Sequence, residues 1–145
     1  MSEKRPQTYA NHAKLVPLFH YVALPLLLIN LVLSLAGLLD GITLDALNRI
    51  GVAVAMVLAA LFARVFALRA QDRVIRLEER LRMERLLPDD LKPRIDDVST
   101  EQCVALRFAG DDELPALVRR ALDENADQKT IKQAIKSWRP DYRRV

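Results

Sequence analysis

The sequence predicts an all-α fold: a two-helix transmembrane hairpin, its second span continuing into a cytoplasmic helix, then a small helical C-terminal domain. Three observations lead there. Residues 15–39 carry no full charge when His20 is neutral, and residues 46–68 are interrupted only by Arg49 and Arg64. Each run matches the roughly 20 apolar residues needed to cross a hydrocarbon core. After Leu68 no such run recurs, and the polar remainder spaces its apolar residues helically. No segment shows the period-two alternation of a half-buried strand. The chain averages of 51% apolar and 28% charged residues conceal this segregation.

Residues 1–14 read as a polar N-terminal segment on the cytoplasmic side, with Tyr9 and His12 near the membrane entry. His20 and Tyr21 belong at the membrane interface, where a ring with a polar tip suits the headgroup zone. A signal peptide is the competing reading of the first apolar run, since Ser34-Leu35-Ala36 resembles a cleavage site. The run is longer than a signal core, and Pro25 and Asn30 interrupt it. It reads as a first span over 15–39.

Residues 40–45 form the external turn and hold no Lys or Arg. Lys4, Arg5 and Lys14 precede the first span, and Arg64, Arg69, Arg73 and Arg76 gather at the end of the second. The positive-inside rule then places both termini in the cytoplasm. The lone Cys103 can form no internal disulfide and suits a reducing compartment. A net charge of +3 with a pI near 9.2 fits a protein facing anionic lipid. It is too mild to imply nucleic acid.

The second span, 46–68, runs on without a break. Residues 52–87 contain no internal Gly or Pro, a helix of roughly 54 Å at 1.5 Å per residue. Residues 69–87 therefore form a charged cytoplasmic stalk. Asp72–Arg76, Glu78–Arg82 and Arg80–Glu84 are spaced as i,i+4 ion pairs. Val74, Leu77 and Leu81 form a narrow apolar stripe, fit either for a solvated stalk or for a dimerising seam.

Pro88 stops the stalk and opens the helical domain, 88–145, with Pro93 keeping its first segment turned or extended. Ser99 and Gln102 have capping-box spacing, and Gly110 is placed to close the helix that follows. Asp111, Asp112 and Glu113 open the next helix, which buries Leu114, Leu117, Val118, Ala121 and Leu122. A last helix starts after Asp127, shows Ile131, Ile135 and Trp138 on one side, and ends before Pro140.

Candidate functional residues lie mainly in the spans. Gly51, Ala55, Ala59, Ala63 and Ala67 form an i+4 row of small residues, which lets another backbone approach closely. Ala23, Asn30, Ser34 and Gly37 offer a matching face on the first span. The hairpin is expected to close on these faces, with oligomerisation as the competing use. Asn30, near mid-span, needs a partner in hydrocarbon. Arg64 and Arg69 belong at the cytoplasmic interface, where a long side chain can snorkel. A sharper reading makes Arg64 a clamp. Pro25 leaves the Tyr21 carbonyl without its helical donor, and folding about Thr43 puts Arg64 opposite that carbonyl and His20.

Lys132, Lys136, Arg139, Arg143 and Arg144 interleave with Trp138 and Tyr142 and could touch anionic lipid. A solvated face with Trp138 packed inward competes. Enzyme chemistry is poorly represented: two histidines, His12 and His20, no metal-ligand spacing, no phosphate loop and no nucleophile elbow. No catalytic, metal or cofactor site is expected.

The stretches YANH (9–12), FARVFALRAQDRVIRLEERLR (62–82), ALRFA (105–109), ELPALVRR (113–120) and WRPDY (138–142) resemble an uncharacterised family of small bacterial membrane proteins. The resemblance spans nearly the whole chain and implies a bacterial inner-membrane location. It supplies no activity, ligand or site residue. The function expected is a non-enzymatic, membrane-anchored interaction or scaffold module that self-associates. Its partners would be lipids, further copies or another membrane or cytoplasmic protein, with no nucleic acid. The alternative is a small oligomeric transport or channel component with Asn30 and Arg64 near its path.

Overall fold

Two consecutive apolar helices, each long enough to cross a membrane, precede a set of short helices in the computed structural model. It describes residues 7–11 and 15–141, so Lys4, Arg5, His12, Lys14, Tyr142, Arg143 and Arg144 lie outside the described residues. The chain divides into two units, Lys14–Leu68 with Val145, and Met1–Ala13 with Arg69–Arg144.

The apolar unit opens with a π-helix, Leu18–Ala23, that runs into α1 (Leu24–Ala36). Leu24 N–H donates to the Phe19 carbonyl, five residues back. A π turn reaches one residue further than an α turn, and such widening re-satisfies carbonyls beside a proline. Pro25, in the first turn of α1, is the local cause. His20 Nδ1 sits 3.1 Å from the Val16 backbone nitrogen and 2.9 Å from the Val16 carbonyl oxygen. A 3-10 turn, Gly37–Asp40, ends the first apolar segment, and Gly41 at φ 126° redirects the chain in a conformation open chiefly to glycine. Thr43 then caps α2 (Leu44–Leu86), accepting from Ala46 N–H at 3.1 Å.

Within the apolar unit, the covered positions of α2 are Ala46, Ile50, Ala53, Val57, Ala60, Arg64 and Leu68. Leu24, Leu27, Leu31, Ser34 and Leu38 are the half-covered counterparts in the first segment. Both sets step by three or four, so each marks one side of its helix.

The second unit has a conventional core. Met83 and Leu87 from α2 and its end meet Leu91, Val98, Leu106, Phe108, Leu114 and Val118, all buried. A 3-10 helix, Lys92–Asp97, occupies the expected linker. α3 (Thr100–Leu106) carries the expected capping box: Ser99 Oγ accepts Gln102 N–H at 3.1 Å, and Gln102 Oε1 accepts Ser99 N–H at 3.0 Å. The Gln102 amide also donates to the carbonyls of Ala121 and Ala126, fixing α3 against the end of α4 (Leu114–Asp123). α4 buries Leu114, Leu117, Val118 and Ala121 of the expected face, and Leu122 is half-buried against the same core.

Two expectations need correction. α5 spans only Gln128–Ala134, because Ile135 turns extended and Ser137 to Arg139 pair with Phe108 to Gly110. Gly110 N–H donates to Ser137 O at 2.8 Å, and Arg139 N–H to Phe108 O at 2.7 Å. Tertiary pairing thus replaces the last helical turn, and Trp138 reaches Phe108 at 5.2 Å instead of extending a helical face. Gly110 is not a left-handed cap; a Cβ there would lie 3.0–3.2 Å from Ser137 atoms. It permits a close approach of two chain segments.

Candidate functional site

The small-residue row does not close the hairpin. Gly51, Ala55, Ala59, Ala63 and Ala67 are all exposed, whereas Ala46 and Ala53 are 1% and 2% exposed. Helix geometry explains the correction. At 100° per residue, Gly51, Ala55 and Ala59 lie roughly 140–220° around the helix from the covered Ala46, so the row faces away from the covered side. On the first segment Ser34 and Gly37 are half-buried, but Ala23 and Asn30 are exposed. Gly37 lies where a Cβ would touch Arg49 Nη2 at 3.7 Å, so that end does pack closely.

The Asn30 backbone carbonyl accepts from Ser34 Oγ at 2.8 Å, while the Asn30 side-chain amide makes no hydrogen bond among the described residues. Arg64 sits on the covered side of α2, half-buried, but no hydrogen bond joins it to the Tyr21 carbonyl or His20. The clamp's direct hydrogen bond is therefore absent. The π-helix ahead of Pro25 changes the bonding pattern on which that expectation rested. Tyr21 and Arg69 are exposed and His20 is half-buried.

Among the described residues, two of the basic side chains near the C-terminus, Lys132 and Arg139, have partners within the unit. Lys132 Nζ bonds Gln128 Oε1 at 2.8 Å and lies 5.9 Å from the Phe108 ring centre. Arg139 approaches Glu79 at 3.7 Å. Lys136 is exposed, its backbone N–H held by Glu113 Oε2. Trp138 is half-buried, which agrees with the inward-packed alternative.

A charged cavity escaped the sequence reading. It encloses about 920 Å³, and its walls include Glu79, Arg82, Arg107, Asp111, Arg139 and Asp141. Glu79, Arg82 and Arg107 are only 5%, 6% and 7% exposed. Arg82 is the hub: Nη1 donates to Glu79 Oε2 at 2.9 Å, Nε and Nη2 to Asp111 Oδ1 at 2.9 and 2.6 Å, and Nη2 to Ala109 O at 2.7 Å. Arg107 lies 3.4 Å from Asp141 Oδ2, its guanidinium 4.6 Å from the Phe108 ring centre. Burial pushes the Glu79 carboxyl above the usual range, although Arg82 and Arg139 pull the other way. So dense a network fixes one arrangement of α2 against the turn after α3.

The expected pairs Asp72–Arg76, Glu78–Arg82 and Arg80–Glu84 do not form. Arg76 reaches Thr100, Arg80 takes Asp96 at 2.9 Å, and Arg82 takes Glu79 and Asp111. The missed signal was Ile75, Glu79, Met83 and Leu87, an i+4 row marking the covered side of the stalk.

No group of three or more metal-ligating side chains occurs among the described residues. The Cys103 thiol is buried, and burial with the nearby Glu79 charge pushes it up to about 11, against Arg76 and Arg80. Such a thiol is a packing residue, not a nucleophile.

A family model described as a family of unknown function (DUF6526) matches residues 1–145. The chain belongs to this family. The DUF6526 match covers the apolar helices and the helical C-terminal unit together. It assigns no activity to either part. No curated protein and no solved structure matches the chain.

Proposed function

We propose that this member of DUF6526 is a non-enzymatic, self-associating interaction module anchored in the bacterial inner membrane. The observation that carries the reading is the exposure of the apolar helices. Leu18, Leu33 and Phe66 are 76%, 67% and 59% exposed, amid many similar neighbours. Soluble monomers rarely expose contiguous apolar surface beyond a few hundred Å². Lipid is the solvent that suits this surface, and it leaves the polar unit to meet water. Basic residues on either side of the spans support cytoplasmic termini. The Gln7 side chain bonds the Asp141 backbone, which supports one side of the membrane for both.

Self-association is supported by the row Gly51, Ala55, Ala59, Ala63 and Ala67, which stays exposed in a single copy. Small residues in a row let a second membrane helix approach closely. The exposed Asn30 amide provides a polar contact that a second copy could satisfy. The test is co-expression of two differently tagged full chains, purified through one tag from detergent-solubilised membranes. The second tag should be retained, less with Ala59→Leu or Ala63→Leu, and undiminished with Leu58→Ile. Complete absence of the second tag would remove self-association from the account.

A further inference from the structure

Val74, Leu77 and Leu81 stand 55%, 60% and 49% exposed on the stalk portion of α2, among charged neighbours. The opposite side of the same helix packs inward through Ile75, Glu79, Arg82 and Met83. These two sets lie roughly 150° apart at 100° per residue, so the helical unit leaves most of the apolar stripe uncovered, with Leu81 at the edge of the charged cavity. The stripe steps by three and then four, the a and d positions of a heptad. Ala70 precedes it at the d position and is exposed too.

Two flanking charges identify the occupant. Arg73 falls at g and Glu78 at the following e, and neither makes an ion pair or side-chain hydrogen bond among the described residues. Other charges of this helix, Arg76, Arg80 and Arg82, are turned to tertiary partners. In a parallel pair of identical helices, g of one meets the following e of the other. Arg73 would meet Glu78 of a second copy, twice by symmetry. An antiparallel pair centred on the stripe would set Glu78 against Glu78, like against like, while Arg80, at the next g position, is held by Asp96 in either orientation. A hydrophobic seam with self-complementary charges in one orientation fits a second copy of this chain.

We propose that α2 pairs in parallel with α2 of a second copy along Val74, Leu77 and Leu81, with Arg73 to Glu78 ion pairs across the two-fold axis. The proposal rests on the membrane-anchored, self-associating reading and supplies its geometry. Two heptads are too short to hold a dimer in water. Anchoring both copies in one bilayer makes them parallel and raises their effective concentration. Right at the seam, the Leu77 side chains would face each other.

The test is oxidative crosslinking of full chains in native membranes, with Cys103 left in place because it is buried. Leu77→Cys and Val74→Cys should yield disulfide-linked dimers of twice the chain mass, and Arg69→Cys on another face should not. Arg73→Glu or Glu78→Arg, added to Leu77→Cys, should lower the dimer fraction roughly fivefold by placing like charges across the seam, and the double reversal should restore it. Both side chains are exposed and make no ion pair or hydrogen bond among the described residues, and the double reversal controls for any change at Glu79 beside Glu78. Equal crosslinking of Leu77→Cys and Arg69→Cys, an adduct of another mass, or a double reversal without rescue would overturn the seam. The same membranes carry two tags. Retention of the second tag without a Leu77→Cys dimer leaves the broader reading standing and removes only the seam.

Discussion

Gln7 and Asp141, separated by 134 positions, clasp one another: Gln7 Nε2 donates to Asp141 O at 3.1 Å, and Asp141 N–H donates to Gln7 Oε1 at 2.8 Å. One amide thus satisfies both backbone groups of a residue near the other end of the chain. Gln7→Ala leaves Asp141 N–H and O to water, and Gln7→Glu keeps the acceptor but loses the donor. Both should accelerate amide exchange at Asp141, the alanine variant more, with a loss of about 1 kcal/mol or less for part-buried bonds. Unchanged exchange in both would show that the clasp does not persist in solution.

Arg82→Ala should destabilise the helical unit by about 3 kcal/mol, because Glu79 stays buried without its closest cation. Asp111→Asn should cost much less, since the Asp111 side chain is 63% exposed. Chemical denaturation of the full chain in detergent, followed through Trp138 fluorescence, compares the two. Equal losses would mean that the Asp111 contact outweighs the Glu79 contact.

The pH dependence of stability should separate Glu79 from the surface carboxylates. Its carboxyl is held above the ordinary range chiefly by burial, so the folded state retains a proton that the unfolded state releases first. Stability linked to this group is full below the unfolded value and falls as pH rises through the raised folded value. Asp127 behaves oppositely. Its hydrogen bond from Thr130 holds it low, giving stability present above the unfolded value and lost as pH falls through the depressed one. Glu79→Gln should remove the alkaline-going loss in urea titrations. An unchanged slope would assign that loss elsewhere.

Gln102→Ala should destabilise more than Ser99→Ala. The serine variant loses a cap worth about 1 kcal/mol. Removing the Gln102 side chain also strips donors from the buried Ala121 and Ala126 carbonyls, at about 1–3 kcal/mol. Paired thermal melts decide the order, and a larger effect for Ser99→Ala would refute the tie between α3 and α4.

Residues that act through local chemistry were legible in the sequence. The capping box of Ser99 and Gln102, the Asp127 cap and the stop at Leu87-Pro88 each depend on neighbours a few positions away. The 3.6-residue periodicity of α4 named its buried side correctly. What was missed depends on distant partners. Arg82 has Glu78 and Glu79 equally near in sequence, and only the fold brings Asp111 to it. Ile135 ends α5 because Phe108 and Gly110 offer backbone bonds from across the unit. The small-residue row misled for another reason: its spacing marks one side of the helix but not whether that side meets the first span.

Labelling with a membrane-impermeant maleimide tests the central claim, two spans with the helical unit in the cytoplasm, most directly. Ile42→Cys, in the turn and 80% exposed, should react in intact bacterial spheroplasts. Gln133→Cys, exposed on α5, should react only after the membrane is permeabilised. Wild-type Cys103 should stay unlabelled in both until the protein is unfolded, because it is buried with its thiol pushed to about 11. The reverse pattern, with Gln133→Cys labelled in sealed spheroplasts and Ile42→Cys protected, would contradict the account, as would recovery of the chain in the soluble fraction.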